Sequence, residues 1–224
     1  MKVMLLAAGR GERMRPLTDE RPKPLLQVAG KPLIAWHLER LARAGFTEVV
    51  INVSWLGELI VAALGDGSDF GVNIAWSREP WPALETGGGL VNALPLLGDG
   101  PFLLVNSDVY TDVEFASLRI APDDLAQLVL VPNPVHHVEG DFWLDARGRI
   151  GTQGGERLTY SGISLLRPQL FAGAQPGRFP LLPWLARALA AGRLGGQKHS
   201  GRWLDIGTPQ RLHELDAQLA SVRP

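Results

Sequence analysis

The 224 residues contain no cysteine, which excludes a disulfide framework, thiolate ligation of zinc and a catalytic thiol. Nor is there an uncharged apolar run long enough to cross a bilayer. The first apolar run, Val3 to Ala8, stops at Gly9-Arg10-Gly11. It is also shorter than a signal peptide's apolar stretch, so the N-terminus reads as a mature, cytoplasmic one. Neither sign of charge is in excess. Lys+Arg 22 against Asp+Glu 23 leaves a net charge of -1, which argues against a nucleic-acid footprint and against a polybasic membrane patch. Small anionic ligands stay open, because they need only a few local cations. No repeat of roughly 20–50 residues and no low-complexity linker divides the chain. What is there is a chain 46% hydrophobic and 20% charged, the balance of a globular protein, and its length suits a single domain over residues 1–224.

Apolar runs and helical spacings alternate through the first half. Lys2–Leu6, Glu48–Val53, Val72–Trp76 and Phe102–Val105 read as strands, several apolar enough to be buried on both faces. Between them, helices are expected from Pro32 to about Ala44, over Trp55–Leu64, and from the glycines at 87–89 to about Pro95. Strands separated by helices imply βαβ crossovers and a mostly parallel sheet. After residue 125 the pattern changes to strand candidates with few helices between them, at Leu125–Val131, Asp141–Leu144 and Leu158–Leu166. These suggest a mixed sheet with an antiparallel addition. Helices follow at Leu181–Ala191 and from Thr208-Pro209 to about Leu219, the threonine as N-cap. Open sheets of this kind bind ligands beyond the carboxyl ends of their strands, so the loops after Leu6, Val53, Trp76 and Val105 carry the interest.

The loop after the first strand reads Leu6-Ala7-Ala8-Gly9-Arg10-Gly11-Glu12-Arg13-Met14-Arg15-Pro16-Leu17-Thr18. Small residues let backbone N–H groups approach a polyphosphate, and arginines add charge-assisted donors. Gly9-x-Gly11 alone is equally compatible with a tight turn. A dinucleotide fingerprint fails because its third glycine falls on Met14, and the second strand, ending Ile51-Asn52-Val53, offers no carboxylate for a ribose. The Walker-A pattern is absent too. Next comes Arg21-Pro22-Lys23-Pro24. Prolines on both sides restrict the lysine and hold its neighbours extended, so Lys23 reads either as a solvated loop residue or as a fixed phosphate contact. Asp108 at the end of the fourth strand and Asp205 before Gly207 are turn residues or ligands for a hard cation. Thr86-Gly87-Gly88-Gly89 reads as a turn or as backbone brought against a base. The adjacent His136 and His137 do not have metal-ligand spacing.

Together the segment Leu6 to Pro24 resembles the sugar-1-phosphate nucleotidyltransferases, whose signature is a strand followed by L-A-x-G-x-G-x-R-M/L-x-P-L-T and then P-K-P. Asn106-Ser107-Asp108, Tyr160-Ser161-Gly162-Ile163 and Trp203-Leu204-Asp205-Ile206-Gly207-Thr208 resemble later segments of the same family. Ser107 stands where many members carry a glycine immediately before the aspartate, here Asp108. The stretches Leu84–Gly89 and Asn133–Phe142 are most similar to the branch that uridylylates N-acetylmuramate 1-phosphate in cell-wall recycling. The resemblance implies a Rossmann-like three-layer α/β fold, with a mostly parallel mixed sheet and a small antiparallel β extension over the sugar site. It implies UTP and a sugar 1-phosphate as substrates and Mg²⁺ as cofactor, held by Asp108 and Asp205. Nucleotide contacts are implied at Ala8, Gly9, Gly11, Glu12, Arg13, Lys23, Thr86, Gly87, Gly88 and Asn106, with Arg13 and Lys23 catalytic. Gly140, Asp141, Ser161 and Gly162 are implied on the sugar-phosphate side. Arg157, Arg167 and Arg202 are the sequence's candidates for meeting an extra carboxylate on the sugar, and Trp81 is the tryptophan expected to touch ligand. The alternatives are mannose 1-phosphate with GTP, glucose 1-phosphate with dTTP, a non-catalytic nucleotide-sugar binder, and a bare structural domain.

Overall fold

The computed structural model describes residues 1–220. Its elements in chain order are β1 (Val3–Leu6), the short pair β2 (Gln27–Val28) and β3 (Lys31–Pro32), α1 (Leu33–Arg43), β4 (Glu48–Val53), α2 (Gly57–Leu64), β5 (Asn73–Arg78) and α3 (Glu85–Leu97). There follow β6 (Phe102–Asn106), β7 (Val109–Thr111), β8 (Ala126–Val131), β9 (Phe142–Leu144), β10 (Ile150–Gly151), β11 (Glu156–Leu166), α4 (Leu182–Ala190), β12 (Leu194–Lys198), β13 (Trp203–Asp205) and α5 (Pro209–Ala220).

One nine-stranded sheet carries the fold. β1 lies between β4 and β6, parallel to both, and β5 continues parallel beyond β4. β11 runs antiparallel to β6, β8 and β9. The expected antiparallel addition is therefore part of the main sheet, with one departure: β12 runs parallel to β8.

Strand alternation sends side chains to two opposite faces, and each face buries its own core. Val3, Leu5 and Ile51 pack with Ile34, Leu38 and Leu41 of α1 and Ile60 of α2. Met4 and Leu104 pack with Leu90 and Ala93 of α3 and Leu185 of α4. The layers are helix, sheet, helix. A third cluster joins Met14, Val28 and Leu33 to Leu212, Leu215 and Leu219 of α5. Thr208 caps α5 as expected, its Oγ1 accepting the Arg211 N–H at 3.4 Å.

The chain leaves β1 toward β4 on one side and returns later to β6 on the other. The crevice beyond the carboxyl ends of β1 and β6 is thus the topological switch point, where open sheets bind ligands.

Candidate active site

At the switch point lies a cavity of about 380 Å³. Its floor comes from the strand ends: Ala8 and Gly9 after β1, Asn52 in β4, Glu79 after β5, and Asn106 with Asp108 at and after β6. The loop after β1 closes one wall with Gly11, Glu12 and Arg13, and Lys23 and Thr86 complete the lining. Gly11 adopts φ +68, and a Cβ there would lie 3.1 Å from the Thr18 methyl and 3.2 Å from Lys23 Cβ, so only glycine lets the loop fold this tightly.

The three arginines of that loop have separated roles. Arg10 donates to Asp19 at 2.8 Å and to the Thr18 carbonyl at 2.6 Å, and lies 4.0 Å from the Trp55 ring centre. Arg15 donates to the same Asp19 oxygen. These contacts, the Arg10 hydrogen bond foremost, hold the Asp19 carboxyl below the usual carboxylate range. Both arginines brace the loop rather than face the cavity. Arg13 has no ion-pair partner among the described residues and lines the cavity.

Lys23 follows an extended Pro22. It begins a 3₁₀ turn, Lys23–Leu25, closed by Leu26 N–H to the Lys23 carbonyl, and its side chain is only 11% exposed. Its Nζ reaches Asp108 Oδ2 at 2.6 Å. The solvated-loop alternative is gone.

Asp205 does return to Asp108, about a hundred residues away in sequence. The device is a separate two-stranded ladder, β7 with β13, in which Asp205 pairs with Val109 and the Ile206 N–H reaches the Asp108 carbonyl at 2.8 Å. Beneath it, buried His37 of α1 sits with Nε2 2.7 Å from the Val109 carbonyl. Burial drives this imidazole's pKa down to about 4, and its Nδ1 has no partner among the described residues, so a neutral ring with Nε2–H as donor fits the site. Asp205 Oδ2 is taken by Arg211 and by His136 Nε2 at 3.3 Å. Asp108 Oδ1 and Asp205 Oδ1 have no hydrogen-bond partner among the described residues. Two carboxylates with one open oxygen each suit a hard divalent cation that completes its shell from phosphate and water.

A second cavity of about 370 Å³ opens beside the first. Ser161, Gly162 and Tyr160 of β11 line it, with Trp203, His136 and His137. Arg13, Asn106 and Asp108 line both cavities. The junction explains the glycine at 162: β11 bulges between Tyr160 and Ser164, and at φ +78 a Cβ on Gly162 would come within 2.7 Å of the Asn106 amide. Ser161 itself is buried, its Oγ donating to the Val129 carbonyl at 2.7 Å. Tyr160 is no acid at neutral pH, since burial raises its phenol to about 12.

Five residues expected to contact ligand make other contacts. Gly87 and Gly88 lie outside the cavity lining, inside the first turn of α3 and buried. A Cβ on Gly87 would meet Phe179 at 2.7 Å, and one on Gly88 would meet the Gly177 carbonyl at 2.1 Å, while the Gly88 N–H donates to the Phe179 carbonyl. These glycines admit the 177–180 segment. Gly140 is buried with φ +62 against the Asn133 amide. Asp141 stands behind the sugar-side cavity, accepting from His137 Nε2 at 2.9 Å and from the Tyr160 N–H at 2.8 Å. Trp81 is 57% exposed and packs at a tilt against Trp55, outside both cavities. Residues missed by the motifs are Asn52 and Glu79: Asn52 accepts the Ala7 N–H and donates to Glu79, which accepts the Leu84 N–H. The buried polar Asn52 in an apolar strand was the available signal.

The family profile named nucleotidyl transferase matches residues 2–139. The chain belongs to that family. An N-acetylmuramate alpha-1-phosphate uridylyltransferase from Neisseria meningitidis is 56% identical, with 97% of each chain covered. One from Caulobacter vibrioides is 36% identical over 98% of this chain and 97% of its own. In three dimensions the family member described here matches a candidate glucose-1-phosphate thymidylyltransferase from Bacillus anthracis, in complex with sucrose, with a TM-score of 0.85, 21% identity, and coverage of 100% and 97%. That likeness establishes the Rossmann-like nucleotidyltransferase fold.

Proposed function

We propose that this protein is a single-domain cytoplasmic enzyme that transfers a uridylyl group from UTP to N-acetylmuramate α-1-phosphate, giving UDP-N-acetylmuramate and pyrophosphate. The observation that carries the reading is the meeting of two cavities at Arg13, Asn106 and Asp108. A nucleoside triphosphate in the first and a sugar phosphate in the second would bring their phosphates together at that junction. The sugar and the base are taken from the relatives that are similar along the whole chain.

An oxygen of the sugar phosphate attacks the α-phosphorus of UTP, a new P–O bond forms, and the bond to the β-phosphate breaks as pyrophosphate leaves. The second pKa of a phosphate monoester is about 6, so the nucleophile arrives largely deprotonated and no general base is needed. Positioning and charge neutralisation are what the chain supplies. Arg13 faces the leaving pyrophosphate. Lys23, buried beside Asp108, holds a positive charge where the transferring phosphoryl group passes. Asp108 and Asp205 would hold Mg²⁺ through their open Oδ1 atoms, and the ion when bound supplies charge neutralisation at the phosphates. Among the described residues no helix is long and apolar enough to cross a membrane; the partners of this reading are the two small-molecule substrates.

Pyrophosphate release by the purified protein with Mg²⁺ tests the reading, across UTP, GTP and dTTP against N-acetylmuramate, N-acetylglucosamine, mannose and glucose 1-phosphates. The expected result is the highest kcat/KM with UTP and N-acetylmuramate 1-phosphate. A preference for GTP with mannose 1-phosphate would leave the family and remove the specific substrate, and tight nucleotide-sugar binding without turnover would remove catalysis.

A further inference from the structure

N-acetylmuramate differs from N-acetylglucosamine by a lactyl ether that ends in a carboxylate, so a site selective for it needs a nitrogen donor beyond those that serve the phosphates. None of the sequence's three arginine candidates supplies one. Arg167 donates to the carbonyls of Asp124 and Ala121, six residues along an extended strand from Ser161 and so about 20 Å away. Arg202 lies over the Tyr110 ring and donates to Gln218 of α5. Arg157 turns to Trp143 and Glu139.

The protonatable nitrogen side chains that do line the sugar-side cavity are Arg13, His136 and His137. Arg13 also lines the nucleotide cavity, and a Cβ on Gly207 would lie 2.9 Å from Asp205 Oδ1 and 3.1 Å from Arg13 Nη2, so its guanidinium belongs to the phosphate end. His136 belongs to the same end, through Asp205. His137 stands apart from both aspartates of the junction. Its Nε2 rests on Asp141 Oδ1, and Asp141 is fixed in turn by the Tyr160 N–H of β11. The imidazole is thus aimed from the loop between β8 and β9 by a carboxylate anchored to the sheet, the arrangement that sets a histidine's orientation and leaves its second nitrogen for a ligand.

We propose that His137 is the specificity-determining residue for the sugar's carboxylate, with Asp141 as its positioning partner. This rests on the function proposed above. The carboxylate hangs from the ring, several bonds from the phosphate on C1, which matches a donor set away from Arg13 and His136. Binding it to an imidazolium, with Nε2–H on Asp141 and Nδ1–H on the sugar's carboxylate, gives a charge-assisted hydrogen bond, available to N-acetylmuramate 1-phosphate and not to N-acetylglucosamine 1-phosphate.

The test is the ratio of kcat/KM for these two sugar phosphates at saturating UTP, in the wild type, His137→Ala, His137→Gln and His136→Ala. The expected result is a fall of tenfold or more in the ratio for His137→Ala, carried by KM for N-acetylmuramate 1-phosphate, with KM for UTP moving less than twofold. His137→Gln guards against a folding defect, and the same fall is expected in it. A ratio that stays within twofold of wild type in both His137 variants overturns the proposal while the function stands. A fall confined to His136→Ala overturns it as well. A wild type with no preference between the two sugars overturns the function itself and this proposal with it.

Discussion

Lys23 Nζ lies 2.6 Å from Asp108 Oδ2, joining the proline-flanked loop to the end of the fourth parallel strand by a single ion pair. The lysine is the more enclosed partner, 11% exposed against 35% for the aspartate. Its ammonium is therefore presented to the junction from an enclosed position, already paired with Asp108.

Lys23→Ala is expected to lower kcat by about 100-fold while raising KM for UTP only a few-fold, because a fixed cation matters most where charge develops. Lys23→Arg should not restore the rate, since a planar fork cannot occupy a point contact of this size. Steady-state kinetics with both substrates saturating measure it. An unchanged kcat would return Lys23 to a structural role.

Asp108→Asn and Asp205→Asn are each expected to reduce turnover by at least 100-fold and to weaken Mn²⁺ binding seen by electron paramagnetic resonance, with the melting temperature nearly preserved. Either variant working at the wild-type rate in limiting Mg²⁺ would remove that aspartate from the site.

Gly88→Ala is expected to destabilise by about 2 kcal/mol, because its Cβ would be driven into a backbone carbonyl that cannot give way. For a chain of this length that is a fall of roughly 4–8 °C in melting temperature. Thermal melts check it, and a variant that melts with the wild type but loses UTP affinity would restore the base-reading role expected from the sequence.

Acid should reach the fold through His37. Its pKa is depressed to about 4 from 6.5, so the unfolded chain binds the extra proton between those values. Stability from this group is complete above pH 6.5, falls as the pH drops toward 4, and levels off below it. The full loss is roughly 3 kcal/mol. Urea unfolding at pH 7 and pH 5 should show a smaller difference in His37→Gln than in the wild type.

The parallel half of the sheet was legible because its strands are continuous apolar runs between helices with proline and glycine punctuation. Glu48–Val53 and α1 fall where the pattern puts them. Of the late strands, β8, β9 and β11 were legible in the same way, but β7, β10, β12 and β13 were not. β12 reads Leu-Gly-Gly-Gln-Lys, where glycines 195 and 196 hide a strand because the Gln127 side chain and Ile150 fill the space a Cβ would take. β7 and β13 are three residues each and owe their existence to each other. The motifs located Lys23, Asp108 and Asp205 but were silent on what holds them. Gly87 and Gly88 show an ambiguity of sequence: a glycine that admits a neighbouring backbone looks, in sequence, like one that admits a ligand.

The ladder of β7 with β13 has a consequence for the order in which the molecule matures. The parallel strands, the loop after β1 and Asp108 can all assemble from the first half of the chain as it leaves the ribosome. Asp205 reaches its neighbour only when residues beyond 200 have been made and have closed the longest loop in the site. A nascent chain stalled before that point could carry a formed nucleotide crevice with half of its carboxylate pair, and competence for chemistry would arrive late, in one step, with the C-terminal ladder.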